Sequence, residues 1–164
     1  GANQRGSTRP RRHNLVSLIQ KARLKSLWVM HYDCGSCNGC DIEILAALTP
    51  KFDVERFGIV NIGDPKQADV LLVTGPANHR NKEVLTNLFD QMPAPKLVIA
   101  IGTCACSGGI FHNCANVLGG IDNVIPVDVY IPGCAVRPEA IIDGVVLALN
   151  KLAGVAPVDD EEEA

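Results

Sequence analysis

The residues of this chain best suited to chemistry are its seven cysteines. Cys34, Cys37 and Cys40 crowd into one short stretch, DCGSCNGC. Cys104 and Cys106 form a second group, Cys114 lies just beyond it, and Cys134 stands alone. An odd number excludes full disulfide pairing within the chain, and such thiols point to metal or redox chemistry. Four thiolates gathered from separate segments suit the corners of a 4Fe–4S cube. Structural zinc also takes four cysteines, usually as two C-x₂-C knuckles. Here the pattern is one pair and two singles, which favours a cluster. A thioredoxin-like C-x-x-C leaves the loops of Cys104 and Cys134 unexplained. A non-catalytic, zinc-stapled assembly module is the alternative from a different class.

Glycine accompanies these thiols: Gly39 precedes Cys40, Gly133 precedes Cys134, and Gly102 lies two residues before Cys104. Glycine lets backbone approach an inorganic cluster closely, so that N–H groups can bond its sulfides. Spacing alone does not choose the ligands among Cys34, Cys37 and Cys40, nor between Cys104 and Cys106. A buried inert thiol is the default for those left over.

The elements that must position these residues alternate. Leu27–Met30 reads as a strand, followed by the cysteine loop. A helix follows on DIEILAALTP, with Ile42, Leu45, Ala46 and Thr49 at helical spacing and Pro50 as its stop. Strands are predicted at 57–62, 69–74, 96–101 and 127–131, and helices at 82–91 and 137–152. A long glycine-rich loop is predicted from Thr103 to Gly120. This alternation implies a flavodoxin-like α/β domain, an open and mostly parallel sheet with helices on both faces. Every cysteine group except Cys114 then falls just past a strand's carboxyl end. In such a sheet those ends share one edge, where ligands bind.

Composition agrees with one such domain. Apolar residues make up 47% and aromatic residues only 4%, so aliphatic side chains must build the core. The organisation read from the sequence is a basic arm with a short amphipathic helix over 1–25, a cluster domain over 26–154 and an acidic disordered tail over 155–164. The arm carries Arg5, Arg9, Arg11, Arg12, Lys21, Arg23 and Lys25 with no acid before Asp33. Such a segment suits anionic lipid or an acidic partner surface. No stretch reaches the roughly 20 apolar residues of a membrane span, and no apolar signal segment opens the chain. A cytoplasmic setting is expected.

The motifs CGSCNGCDIEILAAL, ERFGI, GTCACSGGIFHN and IPVDVYIPGC resemble the small subunit of energy-converting, membrane-bound NiFe hydrogenases of the Ech and formate-hydrogenlyase type. The same family includes the cluster-bearing subunit of respiratory complex I next to its quinone site. The resemblance implies one proximal 4Fe–4S cluster held by Cys37, Cys40, Cys104 and Cys134, with Cys34, Cys106 and Cys114 as non-ligands. It implies an oxidoreductase subunit without independent activity. Electrons would pass between a ferredoxin-like iron–sulfur subunit and the NiFe centre of a hydrogenase large subunit, reducing protons reversibly, while integral membrane subunits translocate ions. No nucleic-acid partner is implied. The complex I branch usually has two adjacent cysteines in the first motif, whereas Cys37 and Cys40 are separated, as in hydrogenases. An equivalent subunit of a quinone- or sulfur-reducing enzyme is the alternative. The chain departs from the common PGCPP at Pro132-Gly133-Cys134-Ala135-Val136. No residue is assigned as catalytic. Glu43 suits the first-turn dipole of its helix, or by family analogy a proton path. His79 and His112 are not assigned to metal.

Overall fold

The computed structural model describes residues 26–153. The basic arm over 1–25 and the acidic tail over 155–164 lie outside them. The described residues form seven strands: β1 (Leu27–Asp33), β2 (Ile59–Asn61), β3 (Val70–Thr74), β4 (Ala77–Asn78), β5 (Leu97–Ile101), β6 (Val117–Gly119) and β7 (Val129–Ile131). Four helices accompany them: α1 (Gly39–Leu48), α2 (Lys82–Gln91), α3 (Thr103–Ser107) and α4 (Pro138–Ala153).

The main sheet has five strands in the order β2-β1-β3-β5-β7, every pair parallel. This is the flavodoxin order, in which the winding reverses between β1 and β3. Strands β3 and β5, VLLVT and LVIAI, are buried at every position. That follows from their place inside a sheet covered on both sides, where no alternating polar face is needed. One core packs Val29, Leu72, Ile99 and Ile131 against Ile44 of α1 and Ile141 and Val145 of α4. The other packs Met30, Leu71, Val73 and Val98 against Leu85 of α2 and Ala105 of α3. Leu71 is fully buried. Its replacement by alanine is expected to cost about 2–5 kcal/mol of stability. A lower denaturant midpoint at unchanged slope would show it.

Three local readings change. The segment from Thr103 to Gly120 is not one loop: it holds α3, a 3₁₀ turn at Gly109–Phe111 and strand β6, which pairs antiparallel with β4. Its glycines punctuate short elements: Gly108 ends α3 at φ +86° and sends its N–H to the Cys104 carbonyl. The strand expected from Phe57 begins at Ile59, because Val54–Phe57 forms a 3₁₀ turn. Helix α1 forms as its spacing predicts, and its apolar residues at that spacing do not all face inward. Asp41, Ile44 and Ala47 are buried, while Ile42 and Leu45 are 62% and 59% exposed. The inward face thus pairs core side chains, Ile44 and Ala47, with a hydrogen-bonded carboxylate, Asp41.

Candidate metal centre

Three loops leave the carboxyl edge of the sheet beside one another. The Cys34 N–H bonds the Thr74 carbonyl, which holds the cysteine loop after β1 against the end of β3 (2.9 Å). Gly102 N–H bonds the Ile131 carbonyl (2.8 Å) and Thr103 N–H bonds the Gly133 carbonyl (2.9 Å), which joins the loops after β5 and β7. Asp33 Oδ1 accepts from the N–H groups of Gly35 and Ser36 and closes the first turn of the cysteine loop. Gly75, at φ +78°, permits the contact between this loop and β3. A Cβ there would lie 2.5 Å from the Ser36 nitrogen.

These loops enclose a cavity of about 80 Å³. Cys37, Cys40, Cys104 and Cys134 all line it, with Gly39, Gly75 and Gly133 on its wall. Cys37 and Cys134 are exposed, Cys40 and Cys104 half-buried. The other thiols lie elsewhere. Cys34 is fully buried in the core on the α2 side. Cys106 packs against that same core, and its thiol faces the Ala100 carbonyl at 3.7 Å. Cys114 is exposed and lies off the cavity lining. Among the described residues no three Cys, His, Asp or Glu side chains converge to hold one metal ion. A second cavity of about 40 Å³ lies between α1, α4 and β2 and is lined without any thiol.

The four lining thiols feel one another. Burial pushes the Cys104 thiol pKa up, and the charges of Cys134, Cys37 and Cys40 push it further. Burial likewise raises Cys40, opposed by a backbone hydrogen bond at Val136 and reinforced by Asp41, Cys37 and Cys134. Four thiolates here would repel one another, so a cationic centre between them suits the donor set. Glycine supplies the room: at Gly102, φ +89°, a Cβ would lie 2.6 Å from Cys40 Sγ.

Glu43 is half-buried on α1 and does not line the cavity. The partnered carboxylate is Asp41, which the sequence reading passed over. Its Oδ1 accepts from Thr74 Oγ1 at 2.5 Å and lies 2.8 Å from His31 Nε2, and its Oδ2 accepts from Ser36 Oγ. Burial pushes the Asp41 carboxyl up, but the bonds from Ser36 and Thr74 and the neighbouring His31 outweigh it. The pKa falls below its ordinary value. The signal available in the sequence was a carboxylate directly after a candidate ligand and five residues after a serine.

Fold and site together define a flavodoxin-like domain with a four-thiol cavity at the carboxyl ends of its strands. The chain belongs to the family of the NADH ubiquinone oxidoreductase 20 Kd subunit, whose model matches residues 37–148. It is 48% identical over 161 residues, 96% of either chain, to the probable membrane-bound hydrogenase subunit mbhJ of Pyrococcus furiosus. Formate hydrogenlyase subunit 7 of Escherichia coli is 46% identical over 84% of this chain and 53% of its own length. An NADH-quinone oxidoreductase subunit of Citrifermentans bemidjiense is 42% identical over 85% of this chain and 80% of its own. Among solved structures, a chain of the membrane-bound sulfane sulfur reductase, an archaeal respiratory membrane complex, superposes with a TM-score of 0.74. It is 38% identical, over 84% of this chain and 76% of that one. The resemblance drawn from the cysteine motifs thus agrees with the family. Among the described residues no helix is long and apolar enough to cross a membrane.

Proposed function

We propose that this chain is the electron-transfer subunit of a membrane-bound hydrogenase complex and holds one 4Fe–4S cluster on Cys37, Cys40, Cys104 and Cys134. The observation that carries the reading is the gathering of those four thiols, from three distant loops, around one cavity. They ring a space instead of meeting at a point, which suits a cube of several irons better than a single zinc. Bound there, the cluster would take up and release single electrons. The chain's own part is to supply the thiolates, to leave room at Gly102 and to present Cys37 and Cys134 on the outer rim. Tunnelling needs donor and acceptor close together, so partners dock over this rim. They are a hydrogenase large subunit with a NiFe centre on one side and a ferredoxin-like iron–sulfur subunit on the other. Integral membrane subunits complete the complex, with this chain peripheral on the cytoplasmic face. Ile42 and Leu45, apolar and exposed on the helix that carries Cys40, suit such a covered surface.

Metal analysis of the purified complex tests the reading. About four irons on this subunit, broad visible absorption and nickel in the complex are expected. A colourless, zinc-loaded chain would overturn it. A second reading, a sulfur-reducing complex, is favoured by the likeness to the sulfane sulfur reductase chain. It predicts the same iron and no nickel.

A further inference from the structure

We infer that Asp41 is a positioning residue of the cluster site: its buried carboxylate clamps the Cys37–Cys40 turn to the sheet and keeps a fixed negative charge beside Cys40 that lowers the cluster's reduction potential. The inference rests on the ligand reading above and goes beyond it.

The geometry is that of a clamp. Asp41 follows Cys40 directly and is only 7% exposed. A buried carboxylate must be matched by donors, and three separate segments supply them. Ser36 donates from the cysteine loop, Thr74 from the last position of β3, and His31 from β1. Thr74 is fully buried, so its hydroxyl has no water to turn to. A carboxylate only accepts, which places a proton on His31 Nε2; Thr74 Oγ1 lies 3.1 Å from that same nitrogen. Ser36 Oγ in turn accepts from the Asn38 N–H at 3.0 Å, so the bond to Asp41 also shapes the turn between Cys37 and Cys40. A further connection of this loop to β3 is the Cys34 N–H bond to the Thr74 carbonyl. Thr74 therefore anchors the cysteine loop through its backbone and through its side chain.

The charge matters because of where it sits. Asp41 is the residue next to a proposed ligand, and it is buried, so solvent screens its charge little there. Adding an electron beside a fixed negative charge is unfavourable, so the carboxylate holds the potential down. The three donors disperse part of that charge. Two substitutions should then move the potential in opposite directions. Asp41→Asn removes the charge and keeps the size and an acceptor oxygen. Thr74→Val keeps the charge and size and removes one donor, concentrating charge on the carboxylate. A network that merely braced the loop would give no such opposition of sign.

The test is a redox titration of the cluster, followed by electron paramagnetic resonance at fixed pH in the purified complex, with iron analysis alongside. Asp41→Asn is expected to keep its iron and shift the midpoint potential positive, and Thr74→Val to shift it negative. Unchanged potentials, or shifts of the same sign, in iron-loaded variants would overturn the inference and leave the ligand reading standing. If Asp41→Asn loses its iron, the sign for Thr74→Val decides: a negative shift supports the charge role, and no shift or a positive one overturns it. A wild-type complex without a cluster would overturn both readings.

Discussion

Replacing any one of Cys37, Cys40, Cys104 or Cys134 by alanine is expected to destroy or convert the proposed 4Fe–4S cluster. Iron on the subunit should fall from about four to about three or fewer, because a cube left with three thiolates readily releases an iron. Loss of the wild-type reduced signal would accompany it. The same change at Cys34, Cys106 or Cys114 is expected to leave the iron in place. Cys34→Ala removes a buried sulfur and lowers stability without touching the cavity, since that side chain lies in the core on the α2 side. Cys106→Ala removes a thiol that faces the Ala100 carbonyl. The sharpest comparison is within α3. A Cys104→Ala variant with full iron beside a Cys106→Ala variant without it would reverse the assignment of that loop.

Gly102→Ala is expected to be nearly as damaging, although it touches no ligand by name. At φ +89° and ψ 156° this residue occupies a region that essentially only glycine adopts. Backbone strain there costs about 1–3 kcal/mol. The added Cβ would also lie 2.6 Å from Cys40 Sγ, and its next neighbour is the Gly133 carbonyl at 3.5 Å. The thiol cannot stay where it lines the cavity, so iron content should fall as in Cys40→Ala, with a lower denaturation midpoint besides. Gly63→Ala is the control. A Cβ at Gly63 meets nothing within 4 Å, and its φ lies outside the positive range. Stability within about 0.5 kcal/mol of wild type and unchanged iron are expected there. Equal iron in the two variants would refute the steric account.

The order of strands and helices was legible because each carries a strong local signal. Val70–Val73 and Leu97–Ile101 are unbroken aliphatic runs of strand length, and both lie in central strands. Helix α2 spans Lys82–Gln91, the span its pattern predicts. The alternation of elements implied a parallel sheet, and with it a shared carboxyl edge for the cysteine loops. Short elements were hidden, since α3 and β6 have five and three residues, too few for any period to show. The inward face of α1 was not legible for another reason. Ile42 and Leu45 look like core by hydropathy, yet a buried polar anchor and an outward apolar surface reverse that rule.

By itself the sequence determined that this is a thiol-rich α/β domain of a redox family, because composition, periodicity and cysteine motifs are local and survive without coordinates. It left open, on spacing alone, which thiols act together. Only the tertiary structure decided that Cys37, Cys40, Cys104 and Cys134 border one cavity while Cys34 and Cys106 pack against the core on the α2 side. Neighbouring cysteines can point to opposite sides of a sheet edge, and which way each points depends on how its loop is tied down. Here those ties are long-range: Thr103 to Gly133, Cys34 to Thr74, and Asp41 to Thr74. Such bonds join residues far apart in the chain, so no local pattern announces them, and they exist only once the sheet has brought its strand ends together.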